Sequence, residues 1–156
     1  MMFKKALFLL FVSSLLFGCG YEPLYLKNNN LEKSIKTIKF EGNEKINRKI
    51  ISFLGLKEMK NSKLNFELKL ISQKKLEVIS KDKGGNPSVY KNSIIVDLLL
   101  NDGQKIIKQK QFNVSFVYNN INNKFDLSQY QKSIETNLID EVCEKIFIFL
   151  KSLIMI

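Results

Sequence analysis

Three consecutive stretches of this chain alternate apolar and polar residues with a period of two, the spacing of side chains along one face of a β-strand. The first stretch runs from Leu64 to Val78, the second runs from Tyr90 to Leu100, and the third spans about residues 105–118. The apolar residues share even positions: Leu64, Phe66, Leu68, Leu70, Leu76, Val78, Tyr90, Ile94, Val96, Leu98, Leu100, Ile106, Phe112, Val114, Phe116 and Tyr118. This pattern predicts three long strands that share one core face.

Two turn signals indicate that the three strands are antiparallel. Residues 82–87, Asp-Lys-Gly-Gly-Asn-Pro, combine several dipeptides that favour turns. Asp102-Gly103 is a typical signal for a tight hairpin between the second and third strands. A meander of hairpins therefore follows from the sequence.

A short strand and a helix are predicted before the meander, and a long helix after it. The strand lies near residues 34–40, and the first helix begins after the N-cap residue Asn43 and stops at Gly55. The second helix begins near Asp126, because Asp126-Leu127-Ser128-Gln129 resembles a capping box. Its apolar stripe contains Tyr130, Ile134, Leu138, Val142, Ile146, Phe149 and Leu153.

These elements predict an α+β fold in the order βαβββα. We expect a two-layer sandwich in which both helices pack on one face of a mostly antiparallel four-stranded sheet. The other, odd-numbered face is largely polar but also contains Ile71, Ile79, Ile95, Leu99, Ile107 and Val117. Such residues form either a partner surface, if they cluster, or the ordinary apolar scatter of a protein surface.

The composition indicates anionic partners and no catalysis. The net charge is +10, which favours phospholipid headgroups or lipopolysaccharide phosphates as partners. Arg48 is the only arginine, so nucleic acid, which is read mainly through arginine, is not an expected partner. Because the chain lacks histidine, CxxC motifs, glycine-rich phosphate loops and nucleophile elbows, we assign no catalytic or metal-binding residues.

Lysines are the candidate ligands for phosphate groups. They gather near the predicted strand ends, at Lys81, Lys83 and Lys91 on one side and at Lys105, Lys108 and Lys110 on the other. Ammonium groups pair with phosphate as mobile point charges. The alternative is that these lysines belong to a solvated basic surface without a ligand.

The N-terminus is typical of an export signal. Lys4 and Lys5 precede the apolar stretch Ala6–Phe17, whose 12 residues are fewer than the ~20 that a membrane span needs. Leu16-Phe17-Gly18-Cys19 resembles the lipobox of bacterial lipoproteins. The resemblance implies a signal peptide at 1–18, an acylated tether at 19–33 and a folded domain at 34–156. It also implies an S-diacylglyceryl group and an N-acyl chain such as palmitate on Cys19.

Two other interpretations of this segment are open: an ordinary signal peptide with an incidental Cys19, or an uncleaved anchor. The residue after the cysteine is Gly20 and not the aspartate that favours inner-membrane retention in this class, which favours the outer membrane. If Cys19 carries lipid, Cys143 is the only remaining thiol. We expect that thiol to be buried in the last helix.

The heptapeptide Cys19-Gly20-Tyr21-Glu22-Pro23-Leu24-Tyr25 resembles the start of mature LptE, the LPS-assembly lipoprotein, in its alphaproteobacterial form. Tyr21 and Glu22 stand where that family often has phenylalanine and arginine. The resemblance implies a lipid-anchored protein on the periplasmic side of the outer membrane. It would act there as plug and assembly factor of the LptD barrel, bind lipopolysaccharide, need no cofactor and catalyse no reaction.

Two alternatives to this function are open. One is a periplasmic lipoprotein subunit of a lipid transporter, either a lipid carrier or an accessory domain. A carrier would need an apolar cavity between the sheet and the helices. The other is an enzyme, which would need serine, lysine and carboxylate groups converging in one pocket.

Overall fold

The structure, a computed structural model, describes residues 35–59, 66–103 and 105–154. Its elements follow the predicted order βαβββα. They are β1 (Ile35–Gly42), α1 (Glu44–Leu54), β2 (Phe66–Lys81), β3 (Pro87–Asn101), β4 (Ile106–Asn119) and α2 (Lys124–Ile154). The predicted signal peptide, the tether, Ser34 and Leu64 lie outside the described residues.

The four strands form one mixed sheet in the order β1-β2-β3-β4. β1 runs parallel to β2, whereas β2, β3 and β4 pair antiparallel, so the prediction of a mostly antiparallel sheet is confirmed. β1 pairs only with residues 66–72 of β2. The remainder of β2, residues 73–81, therefore extends past β1.

The connection from β1 to α1 is a tight corner. Gly42 has φ +80°, and the backbone N–H of Asn43 donates to the carbonyl oxygen of Ser72 at 2.9 Å. The Asn43 side chain accepts a hydrogen bond from the Ile46 N–H at 3.1 Å, and Gly55 ends α1 with φ 65°. The predicted N-cap and helix stop are therefore confirmed.

The core lies between the even face of the sheet and the two helices, which confirms the two-layer architecture. Ile46 and Ile50 of α1 are fully buried, as are Val142 and Ile146 of α2. From the sheet, the same cluster contains Leu68, Leu70, Ile94, Val96, Leu98, Phe112 and Val114. Burying side chains of this size contributes about 1.5–3 kcal/mol each to folding, so this layer contact holds the fold together.

Some even positions predicted to be core are instead exposed. Leu76 and Val78 lie on the part of β2 that extends past β1, and both are roughly half exposed. Phe116 is exposed beside α2. Ile106 pairs with Asn101 although Lys108 pairs with Leu100, so an irregularity at residue 107 moves Ile106 out of step with the core face.

The start of α2 also differs from the prediction. The helix begins at Lys124, and the Asn123 side chain accepts hydrogen bonds from the N–H groups of Phe125 and Asp126. Asn123 is thus the N-cap, and Asp126 is a first-turn residue that favours the positive end of the helix dipole. Along the predicted stripe, Ile134, Leu138, Val142 and Ile146 are buried, whereas Tyr130 is exposed.

Within the described strands, the odd face does not present one continuous apolar patch. By register Ile71 lies opposite Asp97, so Ile95 and Leu99 are its diagonal neighbours, and all three are partly buried. Gln111 donates to Asp97 at 2.9 Å between them. The more exposed members, Ile79, Val117 and Ile107, lie towards the two ends of the sheet.

Candidate functional site

The sheet has two ends with different surroundings. The distal end comprises the β2–β3 hairpin (residues 76–91), the end of β4 and the start of α2 (residues 116–130). The proximal end comprises the start of β1, the β3–β4 turn with the start of β4 (residues 101–110) and the last turns of α2 (residues 145–154). Since β3 (15 residues) runs from one end to the other, the tips of the two ends are about 45 Å apart.

Exposed apolar side chains surround the distal end. Leu76 lies on the helix side of the sheet by its pairing with Asn92, whereas Val117 pairs with Lys91 on the opposite face. Phe125, in the first turn of α2, is 68% exposed. The exposed set is Leu76, Val78, Ile79, Phe116, Val117 and Phe125. Apolar side chains that are exposed together indicate an interaction surface, whereas single exposed apolar residues do not.

The hairpin turn at the distal end is tied together by Asp82. Its carboxylate accepts hydrogen bonds from the backbone N–H groups of Gly84 and Asn86 at 2.8 and 2.9 Å. The hydrogen bonds from Asn86 lower the pKa of Asp82 below its usual value. Lys81 and Lys83 flank this turn and are exposed, so their ammonium groups stand at the tip.

The third distal lysine, Lys91, lies on the helix-free face opposite Glu77 and Val117. The Glu77 carboxylate pairs with Lys75 at 2.8 Å. Hydrogen bonding to Lys75 is the main reason that the pKa of Glu77 is lowered, and the charge of Lys91 adds to it. The structure therefore brings Lys81, Lys83 and Lys91 to one end, as predicted.

The other three candidate lysines lie at the proximal end. Lys105 is in the β3–β4 turn, where its backbone N–H donates to the Asp102 carboxylate at 3.1 Å. Lys108 and Lys110 pair with Leu100 and Leu98, on the helix side of the sheet. The Lys110 ammonium lies 4.7 Å from the centre of the Phe149 ring and 5.4 Å from that of Phe112.

The candidate lysines differ from those that hold the domain together. Lys74 and Lys45 both pair with Glu135, and Lys49 pairs with Asp140, so these lysines join β2, α1 and α2. Within the part of the chain that the structure describes, none of the six candidate lysines forms a salt bridge with a carboxylate. Their charges are therefore available to an external anion.

Three tyrosines stack beneath the start of α2. Tyr118 is nearly buried and lies between Tyr90, stacked at 5.6 Å, and Tyr130, edge-on at 5.6 Å. Burial is the main reason that the pKa of Tyr118 is raised. Beside them a cleft of about 230 Å³ opens between Phe116 of β4 and α2. It is lined by Phe116, Tyr130, Ser133, Ile134, Asn137, Leu138 and Glu141.

The structure describes one of the two cysteines, Cys143. Cys143 is fully buried in α2, which confirms its predicted burial, and this burial raises the pKa of its thiol to about 12. Cys19, the predicted lipidation site, lies outside the described residues, and its modification stays a prediction. Among the described residues, no three histidine, cysteine or carboxylate side chains group as a metal site would require. Neither described helix combines the length and apolarity of a bilayer-spanning segment.

The fold and the two ends define a two-layer α+β domain in which the candidate lysines and the exposed apolar residues lie at the ends, away from the salt bridges that join β2, α1 and α2.

Solved lipoprotein structures share this fold. Rare lipoprotein B from Shewanella oneidensis is 12% identical with a TM-score of 0.57, over 76% of this chain and 96% of that one. A minor lipoprotein from Acinetobacter baumannii is 11% identical with a TM-score of 0.58, over 74% and 88%.

A lipoprotein from Caulobacter crescentus is 15% identical with a TM-score of 0.54, over 79% of this chain and 91% of that one. At these identities the similarity shows the fold alone. No protein-family model matches the sequence, and no curated protein matches it.

Proposed function

We propose that this chain is an outer-membrane lipoprotein of the LptE type. It is anchored on the periplasmic side through acyl groups on Cys19. It acts as plug and assembly factor of an LptD-type β-barrel and takes part in lipopolysaccharide transport and insertion. The lipobox-like Leu16–Cys19, the heptapeptide Cys19–Tyr25 and the lipoproteins that share the fold support the class.

The observation that carries the plug role is the exposed apolar surface around the distal end. Leu76 and Val117 are exposed on opposite faces of the sheet, and Phe125 is exposed at the start of α2. A partner on one side would leave the others in water, whereas an enclosing wall contacts all of them at once. Polar residues between them suit the lumen of a barrel, which is polar.

Lipopolysaccharide suits the same end because it combines phosphates with acyl chains. Lys81 and Lys83 supply ammonium groups without carboxylate partners in the described chain, Lys91 adds a charge that also acts on Glu77, and the neighbouring Val78 and Ile79 supply apolar contact. The six predicted lysines fall into two groups whose nearest members, Lys91 and Lys110, are separated by about 23 Å along the sheet, too far to hold one headgroup together. We assign lipopolysaccharide to the distal group.

The core does not favour the lipid-carrier alternative. A carrier would need a cavity between the sheet and the helices. Within the described residues, Leu70, Ile94 and Val96 of the sheet are fully buried and belong to one cluster with α1 and α2. The side chains of the even-numbered face therefore pack against the helices.

Copurification tests the proposed function. The tagged chain, purified from solubilised outer membranes, should bring down a large β-barrel in stoichiometric amount, and its depletion should leave lipopolysaccharide in the periplasm or inner membrane. A Cys19→Ser chain should lose membrane attachment. Copurification of an inner-membrane transporter without any barrel would contradict the proposal and favour the transporter subunit.

A further inference from the structure

The proximal end carries a second exposed surface that the plug role does not use. Ile148 of α2 is 66% exposed, and Ile106 and Ile107 at the start of β4 are also exposed. A groove of about 430 Å³ separates α2 from β4, and Lys110, Lys145 and Ile148 are among the residues that line it. Apolar and cationic groups thus lie side by side.

The charge of this surface is positive. Its lysines are Lys105, Lys108, Lys110, Lys145 and Lys151. Its acidic residues are Asp102, Glu141 and Glu144, of which Glu141 is paired with Lys145 at 2.8 Å, so the five lysines leave an excess of positive charge. Basic residues next to exposed apolar side chains fit the interface of an anionic bilayer, where each lysine near the surface contributes about 1 kcal/mol.

The entry point of the chain lies at the same end. Ile35 begins β1 and pairs with Phe66, and the next β2 residue, Glu67, pairs with Asn101 of the β3–β4 turn. The chain before residue 35 therefore joins the domain at the same end as this surface, on the opposite edge of the sheet and about 14 Å from β4. A lipid anchor on Cys19 would be held about 50 Å or less from Ile35, which keeps this surface at a high local concentration of lipid.

We propose that the proximal end is a docking surface for an anionic phospholipid bilayer, with Ile148 and the isoleucines of β4 at the interface and the lysines against the headgroups. The proposal rests on the acyl anchor proposed above. It orients the domain before the barrel is engaged: the proximal end lies on the membrane, and the distal end, at the other end of the sheet, stays uncovered for the partner.

Tryptophan fluorescence tests the docking, because the chain contains no tryptophan. Ile148→Trp places a reporter at the proximal end. Phe125→Trp is the matched control, since Phe125 lies at the opposite end of the same helix and is equally exposed, at 68%. The full acylated chain is reconstituted in vesicles of phosphatidylethanolamine and phosphatidylglycerol whose acyl chains carry bromine. The bromine should quench the reporter at 148 and leave the reporter at 125 unquenched.

Charge variants provide a second readout. Lys105→Gln with Lys108→Gln should reduce the docked-to-undocked ratio about fivefold per lysine, whereas Lys81→Gln with Lys83→Gln at the distal end should leave it unchanged. Phosphatidylcholine vesicles should also weaken quenching at 148. Equal quenching at both reporters, or an unchanged ratio in the proximal variant, overturns the docking surface while the anchor stands. A chain that fails to float with the vesicles overturns the anchor and the surface together.

Discussion

A Cβ atom on Gly42 would overlap the carbonyl oxygen of Ser72, the oxygen that accepts the hydrogen bond from Asn43. The close approach allows β1 to end against β2 and α1 to begin one residue later. The Ser72 hydroxyl also donates to the carbonyl oxygen of Asn43 at 2.9 Å, and the Asn47 side chain donates to that of Glu41 at 2.8 Å. These five residues thus fix where the helix layer starts above the sheet.

Gly42→Ala should lower the free energy of unfolding by about 2 kcal/mol or more, because it combines the cost of a positive φ with a backbone overlap. Gly85→Ala is the matched control: Gly85 has φ +81°, and nothing lies within 4 Å of the added Cβ. It should cost about 1 kcal/mol. Urea unfolding followed by circular dichroism measures both, and equal losses would show that the overlap is relieved without cost.

Glu135 should contribute stability that depends on pH. Its carboxylate joins Lys74 of β2 and Lys45 of α1 to α2, and hydrogen bonding to Lys74 is the main reason that its pKa is lowered. The pKa of Glu135 is thus lower in the folded chain than in the unfolded chain. The stability that Glu135 contributes is therefore present above about pH 4.3, the usual pKa of glutamate, and is lost as the pH falls through its pKa in the folded chain.

Glu135→Gln should therefore cost about 1 kcal/mol at neutral pH and almost nothing in strong acid. Glu144→Gln, on the exposed side of the same helix, serves as the control and should change little at either pH. Unfolding curves recorded across the acid range compare the variants. A cost that stays constant down to low pH would mean that packing, and not ionisation, explains the Glu135 effect.

Thiol counting tests both cysteines in one sample. Burial raises the pKa of Cys143 to about 12, so a thiol reagent at mildly alkaline pH should not label the folded chain. After unfolding, the mature chain should show one reactive thiol if Cys19 carries a thioether-linked lipid. Two thiols after unfolding would contradict lipidation, and rapid labelling of the folded chain would contradict the burial of Cys143.

The alternation of apolar residues was sufficient to predict the layers but not how far the helices cover the strands. Ile94, Val96 and Leu98 of β3 follow the predicted even-position pattern and are fully buried, because α2 packs on this strand. Leu76 and Val78 have the same parity and are exposed, since β2 runs past β1. The position of a helix above a strand is a tertiary property that periodicity does not encode.

The candidate surfaces show the same division. The turn signals correctly placed the six lysines at opposite ends, because a hairpin determines which residues lie near its turn. The sequence did not reveal that Ile106 and Phe125 would be exposed. Ile106 is displaced by an irregularity in β4. The capping-box pattern placed the N-cap of α2 at Asp126, whereas the N-cap is Asn123, three residues earlier, and Phe125 follows it in the first turn.

Lipopolysaccharide binding should depend on the distal lysines alone. Lys81→Gln with Lys83→Gln should lower the amount retained by the immobilised full chain about fivefold or more, since each lysine loses an ion pair with phosphate. The proximal pair Lys105→Gln with Lys108→Gln removes the same charge and should leave retention near that of the unmodified chain. Equal losses in both pairs would indicate attraction by net charge and would contradict a distal site.

In the proposed function, the distal end enters a β-barrel. Photocrosslinking in intact cells tests this placement, with a photoreactive residue at Phe125 and, as a control, at Ile148, which is almost equally exposed at the proximal end. Position 125 should crosslink to the large outer-membrane barrel, identified by mass spectrometry, and position 148 should not. Crosslinks to the barrel from position 148 alone, or from neither position, would contradict it.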